Sequence, residues 1–221
     1  MPAVKRALKR AVAVAAAAAV TVAAMLVLDT APAQAVRPPG IPSLSTAQSE
    51  LNALTVRNEA NGDTYDRDLF PHWKSVSGTG SCTARQYILK RDGQNVVTSD
   101  GCQPTSGRWQ SDFDNVWTTS VSNATIDHVV ALSEAWASGA SSWTTARRQA
   151  FANDINSPQL WIATTSINST KGDKDPAEWL PPNTAVRCDY VKAWTHVKYL
   201  YGLSVNSAEK TAIQSALNTY C

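Results

Sequence analysis

Only three histidines, His72, His128 and His196, occur in this chain of 221 residues. An imidazole is the side chain best matched to general-base work near neutral pH, so this scarcity narrows the search for a base. His128 directly follows an acidic residue, Asp127, within the string ATIDHVV at 124 to 130. That string is rich in β-branched residues and predicts a strand. Neighbouring side chains on a regular strand point to opposite faces, so Asp127 and His128 can serve one site only where the strand ends or bends. A bare Asp-His pair is more often a surface pair than a site. It gains weight from the later run INSTKGDKDP at 167 to 176, preceded by a second strand candidate at 159 to 164. The order is then a strand bearing Asp-His, a second strand, and a helical turn that opens Asn-x-x-Lys at Asn168 and Lys171. His72, between Pro71 and Trp73 with no acidic neighbour, and His196, on the polar side of a helix, read as structural. Trp136, Trp143, Trp161, Trp179 and Trp194 read as core rather than as base-stacking platforms. Neither a Gly-x-Ser-x-Gly elbow nor a His-Glu-x-x-His occurs, which speaks against serine-esterase and zinc-peptidase chemistry.

Positioning elements can be read around these residues. The first 35 have a basic start (Lys5, Arg6, Lys9, Arg10), an apolar run from Ala11 to Leu28 and a small-residue stop at Ala33-Gln34-Ala35. This is the pattern of a secretory signal, with the mature chain starting at Val36; the competing reading is a membrane anchor of about 18 residues. Residues 36 to 221 suit one domain. The whole chain holds 20 Lys and Arg against 18 Asp and Glu, and without the first 35 residues it holds 16 against 17. A nucleic-acid partner would therefore need a local basic patch. Four cysteines in an exported chain favour two disulfides over metal ligation. Three connectivities are open, and proximity favours Cys82 with Cys102 and Cys188 with Cys221.

A helix is expected from Ser45, where Ser45 and Gln48 have capping-box spacing, to a stop near Asn61-Gly62. Tyr87 to Leu89 and Val96-Val97 predict two strands joined at Asp92-Gly93, a hairpin closed by Cys82 and Cys102. Helices are expected over Ala131 to Trp136 and around Thr145 to Ala152, with a short one from Asp175. Two more finish the chain: one ends at Gly202, and the other starts at the capping pair Asn206 and Glu209.

Four strings, in order, carry a family resemblance: YDR at 65 to 67, DHVVALSEAW at 127 to 136, FAND at 151 to 154 and NSTKGDKDPAEWLPP at 168 to 182. With the cysteine framework, the chain from about Tyr65 to Cys221 resembles the HNH, or His-Me finger, endonucleases. Within them it is similar to the secreted bacterial proteins related to the C-terminal domain of the GmrSD restriction enzymes. The resemblance implies an α+β fold: a ββα-metal core in a largely helical single domain with a small β-hairpin region. It also implies that His128 takes a proton from water while Asp127 and Asn168 hold one divalent cation. Asn168 stands where the family has its final histidine, which tilts the site towards Mg²⁺, or Mn²⁺, over zinc. One amide should orient His128: Asn153 in the FAND string, Gln159 at the family's spacing, or Asn156 between them. Lys171 should face a phosphate, with Arg67 and Arg85 as further phosphate candidates, and Asp173 is a metal neighbour or a loop residue. The activity implied is that of a secreted, monomeric endonuclease acting on DNA, or RNA as well. No groove-reading module is present, so little sequence specificity is expected. The alternative is a non-catalytic module of the same fold at the cell surface or on nucleic acid.

Overall fold

The computed structural model describes residues 37–221, so the signal segment expected over residues 1 to 35 lies outside the described residues. In chain order the elements are α1 (Leu44–Ala53), α2 (Ala84–Asp92), β1 (Gln94–Thr98), β2 (Pro104–Ser111), β3 (Val116–Thr118), β4 (Ala124–His128), α3 (Leu132–Ala137), α4 (Thr145–Ala152), β5 (Leu160–Thr164), α5 (Thr165–Lys171), α6 (Arg187–Tyr201) and α7 (Ser207–Tyr220). The class is α+β. An antiparallel sheet β1-β2-β3 and an antiparallel pair β4-β5 are set among the helices.

The unit that carries Asp127, His128 and Asn168 is β4, β5 and α5. The two strands pair in unbroken register, Ala124 opposite Thr164 through His128 opposite Leu160. Helix α5 starts directly at the end of β5, where the Thr164 hydroxyl caps it by accepting the Ile167 N–H. The two-residue period of β4 sorts its side chains. Ala124 and Ile126 pack with Ile88 and Leu89 of α2, with Trp109, and with Leu160 and Ile162 of β5. Burying Ile126, Leu160 or Ile162 here contributes about 1.5–3 kcal/mol each. Thr125 and Asp127 face α5 instead: the Asn168 amide donates to the Thr125 hydroxyl at 3.3 Å, and the Lys171 ammonium donates to the Asp127 carboxylate at 3.1 Å.

A second and larger core fixes the other side of this unit. Leu51 of α1, Val191, Trp194 and Val197 of α6 and Ile213 of α7 are buried together. Phe113 and Trp161 stack with ring centres 5.4 Å apart, and Tyr190 stands edge-on to Phe113 at 5.6 Å. The disulfides are Cys82–Cys102 and Cys188–Cys221, as proximity suggested.

Several expected elements differ. Helix α1 is capped by Ser43, whose hydroxyl accepts the Thr46 N–H, not by Ser45. It stops at Ala53 rather than near Asn61, because Leu54 turns extended and Val56 then pairs with Val205. Tyr87 to Leu89 is helix, not strand: Thr83 and Gln86 form a capping box in front of α2. The partner of β1 is β2, and Gly93 sits between helix and strand because a Cβ there would meet the Trp109 indole at 2.5 Å. The Cys82–Cys102 bond therefore ties the start of α2 to the β1–β2 turn. From Asp175 the chain makes a single turn, its carboxylate taking the Ala177 and Glu178 N–H groups, and Pro181-Pro182 prevents a longer helix.

Candidate active site

Strand β4 ends at His128, and at that end opens a cavity of about 310 Å³ lined by Tyr65, Arg67, Asp127, His128, Ser133 and Asn168, among others. The strand end answers the problem of alternation, since both Asp127 and His128 border the same space despite leaving opposite faces. His128 is buried, and its Nε2 lies 2.9 Å from the Ala152 carbonyl oxygen at the end of α4. A carbonyl can only accept, so Nε2 carries the proton and Nδ1 keeps the lone pair. One face of the imidazole stacks on Trp73, with 5.1 Å between ring centres and 28° between planes. Burial, helped by the charges of Arg67 and Lys171, pulls the His128 imidazole down to about 3, so the ring is neutral throughout the physiological range.

The expected site residues separate into those at the cavity and those behind it. Asp127, His128, Asn168 and Arg67 border it, and Arg67 is exposed at its edge on a turn capped by Asp66. Lys171 lies behind the cavity, not on its lining. It is fully buried, 3.0 Å from Asp127 Oδ2, and donates to the His128 carbonyl oxygen at 2.9 Å. Arg85 is not at the cavity either, because its guanidinium donates to the Ala124 carbonyl oxygen at 3.1 Å and so holds the start of β4.

Among the described residues none of the three amides hydrogen-bonds to the imidazole. Gln159 is fully buried and clasps Val130, accepting its N–H at 3.1 Å and donating to its carbonyl at 2.9 Å, which fixes the chain just past His128. Asn153 donates to the carbonyls of Pro71 and Gln149 and accepts the Lys74 N–H. Asn156 is exposed, its backbone N–H held by the Asp154 carboxylate. His128 is instead oriented by a backbone carbonyl and by an aromatic face, and neither is visible in a search for side-chain amides.

Asp173 is exposed in the loop after α5. It lines a neighbouring cavity of about 320 Å³ with Glu59, Glu134 and Glu178, which shares Tyr65 and Ser133 with the first. His72 donates from Nδ1 to the Phe70 carbonyl and His196 pairs with Glu50, both structural arrangements. Trp136, Trp161 and Trp194 are buried, as expected of core residues.

A metal ion here would meet an oxygen donor set. Asp127 offers a carboxylate that burial raises to about 6, against the pull of Lys171. The Asn168 side chain spends its N–H on Thr125, and its carbonyl oxygen makes no hydrogen bond among the described residues. One carboxylate and one amide fit a hard cation that keeps most of its water, with the carboxylate shared with Lys171. Among the described residues no group of three or more His, Cys, Asp or Glu is placed to hold a metal.

The model of the family described as GmrSD restriction endonucleases, C-terminal domain, matches residues 73–216. An uncharacterized secreted protein of Arthroderma benhamiae is 52% identical over 196 residues, which is 89% of this chain and 95% of that protein. No solved structure matches the chain. The family match takes in β4, β5 and α5 whole, with Trp73 at its first position and Arg67 outside it. On a match of that extent, the chain belongs to the family of the C-terminal domain of the GmrSD restriction endonucleases.

Proposed function

We propose that this protein is an exported, metal-dependent endonuclease of the HNH type, with His128 as general base and Asp127 and Asn168 as the holders of one divalent cation, Mg²⁺ or Mn²⁺. The observation that carries the reading is the meeting of these three side chains at one cavity where β4, β5 and α5 come together. Export is supported by the signal-like first 35 residues and by two disulfides, and the relative from Arthroderma benhamiae is named as secreted.

The chemistry follows from the imidazole. Nε2 is committed to the Ala152 carbonyl, so Nδ1 is the nitrogen that accepts a proton. It takes that proton from a water whose oxygen attacks phosphorus, the bond from phosphorus to the 3′ oxygen breaks, and the departing oxyanion takes a proton from solvent, leaving 5′-phosphate and 3′-hydroxyl ends. An imidazole held down to about 3 is a weak base when the cavity is empty. A phosphodiester brings negative charge beside it and raises its proton affinity when the substrate is in place. When bound, a divalent cation supplies the positive charge that offsets the charge building on the phosphate. Arg67 at the edge is placed to meet a phosphate, while Glu59, Asp173 and Glu178 on the adjoining side repel one. The substrate is DNA first, with RNA as a second one, read through its backbone with little sequence preference.

The test is a plasmid assay. Purified protein is incubated with supercoiled DNA in Mg²⁺, in a chelator, and as His128→Ala. Cutting is expected only with metal and only with His128 present, with the variant's melting temperature close to the native one. A native protein that leaves DNA and RNA intact across several divalent metals would move the assignment to the non-catalytic binding module.

A further inference from the structure

We propose that Trp73 is a positioning residue for His128: its indole, stacked on the imidazole and held in a left-handed backbone conformation by Asn153, fixes the plane of the ring whose Nε2 the Ala152 carbonyl holds. This rests on the reading of His128 as the general base. A single hydrogen bond at Nε2 fixes one atom of the imidazole and leaves the ring free to swing about that bond. A second constraint against the ring's face removes the swing, and Trp73 supplies it at 5.1 Å between ring centres.

Three observations set this contact apart from ordinary packing. Trp73 has φ +54°, a strained region that a bulky aromatic residue rarely occupies. Such strain persists only where the surroundings over-determine it, and here they do. The carbonyl of Pro71 accepts from Asn153 Nδ2 at 2.8 Å, the N–H of Lys74 donates to Asn153 Oδ1 at 2.8 Å, and the carbonyl of Lys74 accepts from the Ala84 N–H at 2.9 Å. Asn153 is itself tied to α4 through the Gln149 carbonyl at 2.7 Å.

Secondly, the Trp73 indole N–H makes no hydrogen bond among the described residues. The buried Trp109, Trp136, Trp161 and Trp194 each donate theirs to a protein oxygen. The Trp73 ring is thus placed by its backbone, by the stack and by packing against the smaller core around Ile88 and Leu89, not by its own polar group. His72 completes the frame, its ring edge-on to Trp73 at 5.8 Å while its Nδ1 donates to the Phe70 carbonyl.

The third observation is that both constraints on His128 share an anchor. Ala152, whose carbonyl receives Nε2, is the last residue of α4, and Asn153, which clamps the Trp73 segment, is the next residue. The end of α4 therefore sets one atom of the imidazole directly and its plane through Trp73. Asn153 is in this way a positioning residue as well, two contacts removed from the ring.

The experiment uses the whole protein and reads the imidazole separately from activity. In the proton NMR spectrum of the native protein the His128 ring protons, identified by their loss in His128→Ala, should be shifted upfield of those of His72 and His196 by the Trp73 ring current. Trp73→Leu should abolish that shift and lower kcat by roughly 10- to 100-fold with KM within about twofold. Trp73→Phe should restore most of both. A native spectrum without the upfield shift overturns the proposal even if Trp73→Leu does not fold. So does a Trp73→Leu variant whose loss lies in KM, which would make the indole a substrate contact, or a Trp73→Phe variant no better than Trp73→Leu. A His128→Ala variant that still cuts plasmid would sink the functional reading instead, leaving the ring-current result standing as structure.

Discussion

A lysine buried to 0% exposure needs a partner, and Lys171 has two: the Asp127 carboxylate at 3.0 Å and the His128 carbonyl at 2.9 Å. Removing one member of such a pair leaves the other charge buried and uncompensated, which is worse than removing both. Lys171→Met should therefore cost about 3–5 kcal/mol in urea unfolding, and the double variant Lys171→Met with Asp127→Asn should recover much of it. A single variant within about 1 kcal/mol of the native protein would mean that the pair does not hold α5 against β4. The sequence made Asn168 and Lys171 legible as a helical i, i+3 pair, which places both on one face. What it could not supply was which way that face looks. That is decided by β4, where Thr125 and Asp127 alternate with the apolar row and so turn towards α5. The same limit applies to Asn153 and Gln159. Both were recognisable as amides near the base, but the groups they hold, the Pro71 to Lys74 segment and Val130, come close only through the tertiary fold.

Among the elements, α2 shows where local patterns mislead. Tyr87-Ile88-Leu89 carries strand propensity, while Thr83 and Gln86 three residues apart carry a helix start, and the capping box prevailed because Ile88 and Leu89 bury together on one helical face. The elements with stronger signals, β4, β5, α4 and the capped α7, were legible because period and caps agreed there. Helix α2 matters to the site: it backs Ile126 in core packing, and its Arg85 holds the Ala124 carbonyl. The Cys82–Cys102 bond, spanning 20 residues, fastens its start. Replacing both cysteines by serine should lower stability by about 3 kcal/mol through the freed unfolded chain. Cutting of plasmid should then fail at a lower temperature than in the native protein. An unchanged melting temperature in the double serine variant would show that packing alone fixes α2.

Over the whole molecule, two proton balances oppose one another in one pH window. The Lys198 ammonium joins α3, α6 and α7 by reaching Glu134 and Glu209, both at 2.6 Å. Burial nevertheless pushes the Glu134 carboxyl from 4.5 up to about 7, and Asp127 from 3.8 up to about 6. Between about pH 4.5 and 6 the folded protein thus keeps protons that the unfolded chain has released, and this contribution to stability falls as pH rises. His128 acts in the opposite sense. Held from 6.5 down to about 3, it refuses a proton that the unfolded chain accepts below 6.5, so its contribution falls as pH drops. Near pH 5.5 these two carboxyls stand against one imidazole, burial raises the Glu209, Asp92 and Asp112 carboxyls in the same direction, and the native protein should lose stability as pH rises. In His128→Ala the opposing group is gone, and the decline should steepen by up to about 1.4 kcal/mol per pH unit. Glu134→Gln should flatten it or reverse its sign. Urea unfolding of the three proteins from about pH 4.5 to 6.5 separates these slopes. A native protein that gains stability steadily with pH across that window would show that Glu134 and Asp127 enter the fold already ionised, with Lys198 and Lys171 outweighing their burial.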